Sequence, residues 1–187
     1  MKKSIITQKL IAKAFKNCLA HSTFNQITVS DIMQAAKIRR QTFYNYFQSK
    51  EELLNWIFEN EFSEVTLDNF DYYNWKNELY LFLRYLEDNL DFYHKIFFID
   101  ADFDKIYLKQ CEHLIYKVLS DQTKISDLTW SDNERFLIYQ YNSFALHGIS
   151  KSAILKNEPL TSLYPTLVTL LESQFQEYKP PKSPTKS

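Results

Sequence analysis

A chain of 187 residues, 45% of them hydrophobic, can bury a substantial core as one large domain or two small ones. A single glycine in the whole sequence argues against hairpin-rich folds and phosphate-cradling loops, which depend on glycine at positive φ. The net charge of −1 conceals an asymmetry: residues 1–50 hold nine lysines and arginines against one acid, Asp31, a balance of +8, while the remaining thirteen bases and twenty-two acids give −9. A basic module on an acidic body points to a polyanionic partner for the first part only, with a merely solvated basic face as the alternative.

The opening Met1-Lys2-Lys3-Ser4 resembles a secretory n-region, but Gln8, Lys9, Lys13 and Lys16 interrupt the residues after it, so no apolar h-region forms. No run approaches the roughly 18 apolar residues of a membrane span, and a cytoplasmic protein is expected. Residues 5–21 carry apolar side chains at helical spacing, in one series Ile6, Leu10, Ala14 and Cys18 and in another Ile11, Phe15 and Leu19. Thr28-Val29-Ser30-Asp31 reads as a capping box with Ile27 and Ile32 as its hydrophobic staple, opening a short helix from about Val29 to Ala36. Arg39 to Phe47 can form a third helix with Phe43 and Phe47 turned inward. Stepping 100° per residue then puts Gln41 and Asn45 on the outer face and Thr42 and Tyr44 on its flanks. Ser49-Lys50-Glu51-Glu52 is a second box, opening a helix over 50–64 through Leu53, Leu54, Ile57 and Phe58.

The pattern breaks between Val65 and Asn74, the candidate boundary between a module at 1–50, joined through the 50–64 helix, and a body at 65–178. Helical patterning resumes over 75–90, 92–99 and 103–121. Ser131-Asp132-Asn133-Glu134 caps a long helix to about Lys156, and a last helix runs over 161–178 with Pro165 tolerated in its first turn. Residues 179–187, rich in Lys, Pro and Ser, should be disordered. The expected fold class is all-α: an N-terminal three-helix helix-turn-helix module and a C-terminal helical bundle.

Two short helices joined by a tight turn can place the second in the DNA major groove. Arginine pairs bidentately with guanine, Gln and Asn pair with adenine, and a threonine methyl meets that of thymine, which suits Arg39, Arg40, Gln41, Thr42 and Asn45 to base edges. Thr28, Tyr44, Tyr46 and Lys50 suit phosphates, and Lys37 adds charge at the turn.

Ile27-Thr28-Val29-Ser30-Asp31-Ile32, Ala35-Ala36-Lys37-Ile38 and the run Thr42-Phe43-Tyr44-Asn45-Tyr46-Phe47-Gln48-Ser49-Lys50-Glu51-Glu52-Leu53 together resemble the N-terminal signature of the TetR family of transcription regulators. The resemblance covers about a quarter of the chain. It implies a homodimer on palindromic double-stranded DNA, with Tyr44 and Lys50 on phosphates and Arg39 to Thr42 and Asn45 facing bases. Lys37 departs from the turn glycine usual in the family, and Arg39 from a frequent capping serine. The order RRQTFYNYF then SKEELL, with the late FALHGISKSAI, is also similar to the subgroup of dihydroxyacetone kinase operon activators, which implies a co-regulator protein that senses the sugar.

In the body, Tyr141, Phe144, Ala145, Gly148 and Ser152 share one stripe of the long helix, and Leu163, Leu167, Leu170, Leu171 and Phe175 share one on the last. The family resemblance implies a four-helix interface between subunits there; burial within one subunit is the alternative. Tyr72, Tyr73, Trp75, Tyr80, Phe82, Tyr85, Phe92 and Phe97 either line a ligand cavity or fill the core, core being the simpler reading. Cys18 with His21, His94 near Asp100, Asp102 and Asp104, and Cys111 with His113 all lack zinc-site spacing, so neither metal nor other cofactor is expected. Cys18 and Cys111 read instead as small hydrophobes. Neither a nucleophile elbow nor a glycine-rich phosphate loop occurs, which argues against an enzyme. The rival readings are a regulator that senses a small molecule or zinc directly, and a helical adaptor that does not bind DNA.

Overall fold

The computed structural model describes the backbone of residues 2–66, 75–97, 101–125 and 130–177, and side chains within 5–60, 75–97, 103–119 and 130–174. The described residues form α1 (Lys2–His21), α2 (Val29–Ala35), α3 (Arg40–Phe43), α4 (Lys50–Thr66), α5 (Trp75–Asp88), α6 (Leu90–Phe97), α7 (Ala101–Ile125), α8 (Asp132–Lys156), a 3₁₀ turn (Leu160–Leu163) and α9 (Tyr164–Glu177). Among them there is no strand, and no helix is long and apolar enough to cross a membrane.

Local chemistry sets the boundaries. At α2, Thr28 Oγ1 accepts from the Asp31 amide at 3.2 Å while Asp31 Oδ2 accepts from the Thr28 amide at 2.8 Å, so both arms of the box are made. Ser131 and Glu134 repeat the arrangement at α8. At α4 one arm shifts: the Glu52 amide donates to Ser49 Oγ, but Glu52 Oε2 accepts from Gln48 at 2.6 Å rather than from Ser49. α8 stops where Asn157 turns left-handed at φ 58°, with Glu158 N–H donating to Ala153 O at 2.9 Å; asparagine tolerates this conformation better than most side chains.

α1, α2 and α3 pack together, and α4 carries the chain into the body, where it lies against α5 and α7. α7 and α8 make the most extensive helix pairing, while α6 touches both α1 and α8. One continuous apolar cluster runs from Ile11, Phe15 and Ile32 through Phe58 to Phe82, Tyr107 and Ile154. Phe58 of α4 meets the rings of Tyr93 on α6 and of Phe103 and Tyr107 on α7. Tyr107 in turn shares a 2.5 Å hydrogen bond with Ser150 of α8.

Three segments differ from the sequence expectation. In α1 the buried face is Ile11, Ala12, Ala14, Phe15 and Leu19, packed on α2, α6 and α4, whereas Ile6 and Leu10 are exposed and Cys18 is half-buried. α3 is shorter than 39–47: after Phe43 the backbone tightens into turns, with Asn45 N–H donating to Thr42 O and Tyr46 N–H to Phe43 O. The last helix is preceded by a 3₁₀ turn, Leu160–Leu163, where Glu87 Oε2 accepts from both the amide and the hydroxyl of Thr161. The Val65–Asn74 break and the 179–187 tail lie largely outside the described residues, as do Tyr72 and Tyr73. Trp75, Phe82 and Phe92 are core, Tyr80 is exposed against the Tyr164 ring, and Tyr85 receives a hydrogen bond from Tyr93.

Candidate nucleic-acid interface

The turn between α2 and α3 is closed by two hydrogen bonds, Ile38 N–H to Met33 O at 3.0 Å and Lys37 N–H to Gln34 O at 3.1 Å. This pair requires a left-handed residue between them, and Lys37 supplies it at φ 57°. The departure from glycine therefore leaves the turn type intact and places its cost on Lys37. Arg39, the N-cap of α3, makes no side-chain capping bond, because a guanidinium has donors only and cannot accept from a first-turn amide as a serine would.

Phe43 and Phe47 anchor the segment: both are buried, their ring centroids lie 5.6 Å apart, and Phe47 also meets Trp56 of α4. With that face fixed inward, Lys37, Arg39, Arg40, Gln41, Tyr44 and Asn45 are exposed, and Thr42 and Tyr46 are half-buried. Arg40 Nη2 lies 3.4 Å from the Tyr44 hydroxyl one turn on, which brings an arginine fork and a phenol to the same patch. Thr28 is exposed but its hydroxyl is committed to Asp31 Oδ2 at 2.7 Å. Those bonds from Thr28 hold the Asp31 carboxyl below its ordinary range, so the one acid of the first 50 residues is engaged at the α2 N-terminus.

Lys50 is placed differently from an outward-facing cation. Its ammonium donates to the carbonyls of Phe24 at 2.7 Å and Ile27 at 3.1 Å and sits 4.4 Å from the centre of the Phe24 ring. It ties the α1–α2 loop to the start of α4. Sequence spacing cannot reveal this, because the two carbonyls come from a loop more than twenty residues upstream.

In the body, the α8 stripe is open. Tyr141 is 67% exposed and Phe144 55%, and Leu137 and Gly148 lie on the same side. A Cβ built on Gly148 meets no atom within 4 Å, so nothing inside the subunit requires glycine there. Ala145, Ser152 and Leu163 are half-buried and Leu170 is exposed, but Leu167 and Leu171 are already covered within the subunit. Phe175 lies outside the described side chains. A small apolar groove of about 100 Å³ between α8 and α9 includes Tyr141, Ile149, Leu170 and Gln174 on its walls. Asn142 and Gln174 exchange amide hydrogen bonds at 2.8 and 3.2 Å across it and fix the register of the two helices. Cys111 is buried and Cys18 half-buried, and no group of three or more His, Cys, Asp or Glu side chains is placed to hold a metal among the described residues.

Residues 11–57 match the family described as bacterial regulatory proteins, tetR family. The chain is 55% identical over 179 residues to the HTH-type dhaKLM operon transcriptional activator DhaS of Lactococcus lactis subsp. lactis (strain IL1403), covering 96% of each. It is 38% identical over 60 residues to the uncharacterized HTH-type transcriptional regulator YxbF of Bacillus subtilis (strain 168), covering 32% of this chain and 16% of that one. Among solved structures, dihydroxyacetone kinase operon activator DhaS superposes with a TM-score of 0.88 at 53% identity, covering 94% of this chain and 99% of its own. A TetR transcriptional regulator from Streptococcus agalactiae 2603V superposes at 0.63 with 20% identity, covering 91% and 96%, a likeness of fold alone.

Proposed function

Because the chain belongs to the TetR family of bacterial regulatory proteins and is a transcriptional regulator rather than an enzyme, we propose that it binds a palindromic operator as a homodimer and activates a dihydroxyacetone kinase operon. The observation that carries the DNA reading is the exposure of Arg39, Arg40, Gln41, Tyr44 and Asn45 together, with Phe43 and Phe47 of the same segment buried. Arg39, Arg40, Gln41, Thr42 and Asn45 read base edges, while Lys37, Tyr44, Tyr46 and the α2 N-terminus at Thr28 meet phosphates. Lys50 contributes by holding the loop that precedes α2, next to the phosphate contacts rather than among them. The operon assignment rests on the 55% identity to DhaS over nearly the whole chain. A sugar-sensing co-regulator protein is the proposed source of the signal, and the cytoplasm the proposed location.

The dimer forms through the open α8 stripe, with Tyr141, Phe144 and Gly148 facing a second copy and Leu170 at the margin. Buried Leu167 and Leu171 share the walls of the small apolar groove with Tyr141 and Leu170.

A mobility-shift titration against the chain's own promoter region tests the reading. The expected result is a salt-sensitive, sequence-preferring shift in which Arg40→Ala relaxes base preference and Tyr44→Phe weakens all sequences alike. Absence of any sequence-preferring shift sinks it. Sedimentation of Phe144→Glu, expected to be monomeric, tests the dimer face. Loss of kinase-operon transcription on deletion of the gene tests the operon assignment, and unchanged transcription refutes it.

A further inference from the structure

Two lysines, one from the DNA module and one from the body, cross the junction in opposite directions. Lys16 of α1 donates to Asn89 Oδ1 at 3.2 Å in the α5–α6 corner, and its ammonium lies 5.0 Å from the centre of the Phe92 ring. Lys95 of α6 reaches back and donates to Leu19 O at 2.6 Å and Ala20 O at 2.8 Å. Those are carbonyls of the last turn of α1, which lack helical partners and carry the negative end of the helix dipole. The receiving point for Lys16 is rigid as well, since Asn89 Nδ2 donates to Tyr85 O at 2.9 Å and its own amide is bonded to the end of α5.

The junction beside these contacts is not closed by packing. An open cleft of about 480 Å³ lies there, bounded by both lysines, Leu19, Ala20, Asp91 and Asn157. Along this side directional polar contacts supplement the apolar packing of α1 on α6 in setting the angle of α1 against the body. α1 has 20 residues, so it is about 30 Å long. A tilt of about ten degrees shifts one end by roughly 5 Å against the other, more than the 3.4 Å spacing of base pairs. α2, and through it α3, is mounted on this helix.

We propose that Lys16 and Lys95 are positioning residues for DNA recognition: a reciprocal clasp that holds the helix-turn-helix at the angle its operator requires, without touching DNA. The inference rests on the DNA-binding reading above.

Fluorescence anisotropy with a labelled duplex from the promoter region, on the full chain, tests it. Lys95→Met and Lys16→Met each weaken specific binding about tenfold, the scale of losing a charge-assisted hydrogen bond. The double variant falls no further than the worse single one, because the two contacts act as one clasp. The slope of log affinity against log salt stays unchanged, since no phosphate contact is lost, and Lys95→Arg restores binding. A folded Lys95→Met with wild-type affinity, a changed salt slope, or no rescue by arginine overturns the clasp. A second readout needs no DNA: spin labels at Gln34→Cys and Tyr116→Cys in a Cys18→Ser background, diluted with unlabelled protein. One narrow distance is expected, broadened by Lys95→Met and restored by Lys95→Arg; an unchanged distribution overturns the clasp. Wild type without sequence preference, but with the label distances responding, instead faults the DNA reading.

Discussion

Two lysines of the basic module carry costs and roles that their charge does not announce. Lys50 is half-buried and bonded to two loop carbonyls, so Lys50→Met should lower stability by about 1.5–3 kcal/mol in urea unfolding, as loss of a charged donor from partners with no replacement does. An unchanged midpoint would return Lys50 to the phosphate role that the family resemblance implies. Lys37 holds φ 57° at a turn that glycine closes without strain, so Lys37→Gly should raise stability by roughly 0.5–1 kcal/mol while weakening DNA binding through the lost charge. A fall in stability would mean that the lysine side chain stabilises the turn. The outward residues of α3 were legible from the sequence, because placing Phe43 and Phe47 inward fixes every other position by helical geometry. The engagement of Lys50 was not, since it depends on which loop the fold brings alongside.

At the scale of elements, the boxes at Thr28/Asp31 and Ser131/Glu134 follow from four-residue patterns and form as those patterns predict. Hydrogen bonds from Thr28 and Ser131 hold the Asp31 and Glu134 carboxyls below their ordinary range. At Asp104, burial pushes the carboxyl up, but bonds from Lys151 and His147 outweigh it and the net shift is downward. A carboxyl depressed in the folded state adds stability that is complete above its unfolded value, about 4, and is lost as pH falls through the folded one. The urea midpoint should therefore hold steady from about pH 7 to 5 and drop below about pH 4, and Asp31→Asn should shrink the drop. An equal drop in that variant would remove the α2 box as a cause. The length of α3 escaped sequence reading, because helical spacing of Phe43 and Phe47 is satisfied equally by a turn that tightens after Phe43.

Across the whole molecule, Phe58 is the apolar joint between the two halves, fully buried among Tyr93, Phe103 and Tyr107, with Tyr107 bonded onward to Ser150 on the helix of the proposed dimer face. Phe58→Ala should cost about 3–5 kcal/mol and separate the unfolding of the α1–α3 region from that of the body, so that fluorescence and circular dichroism no longer melt together. A smaller loss with coincident transitions would mean that the halves are held mainly elsewhere. By itself the sequence determined the all-helical class, most helix boundaries, the basic module and its outward residues, because periodicity, capping and charge are local and write themselves into short windows. Only the tertiary structure decided that Lys16, Lys50 and Lys95 bind carbonyl and amide oxygens across the fold, and that Leu167 and Leu171 turn inward while Tyr141 and Phe144 stay open. Those outcomes depend on which surfaces meet, and contacts between residues 23 to 76 positions apart leave no period in the chain.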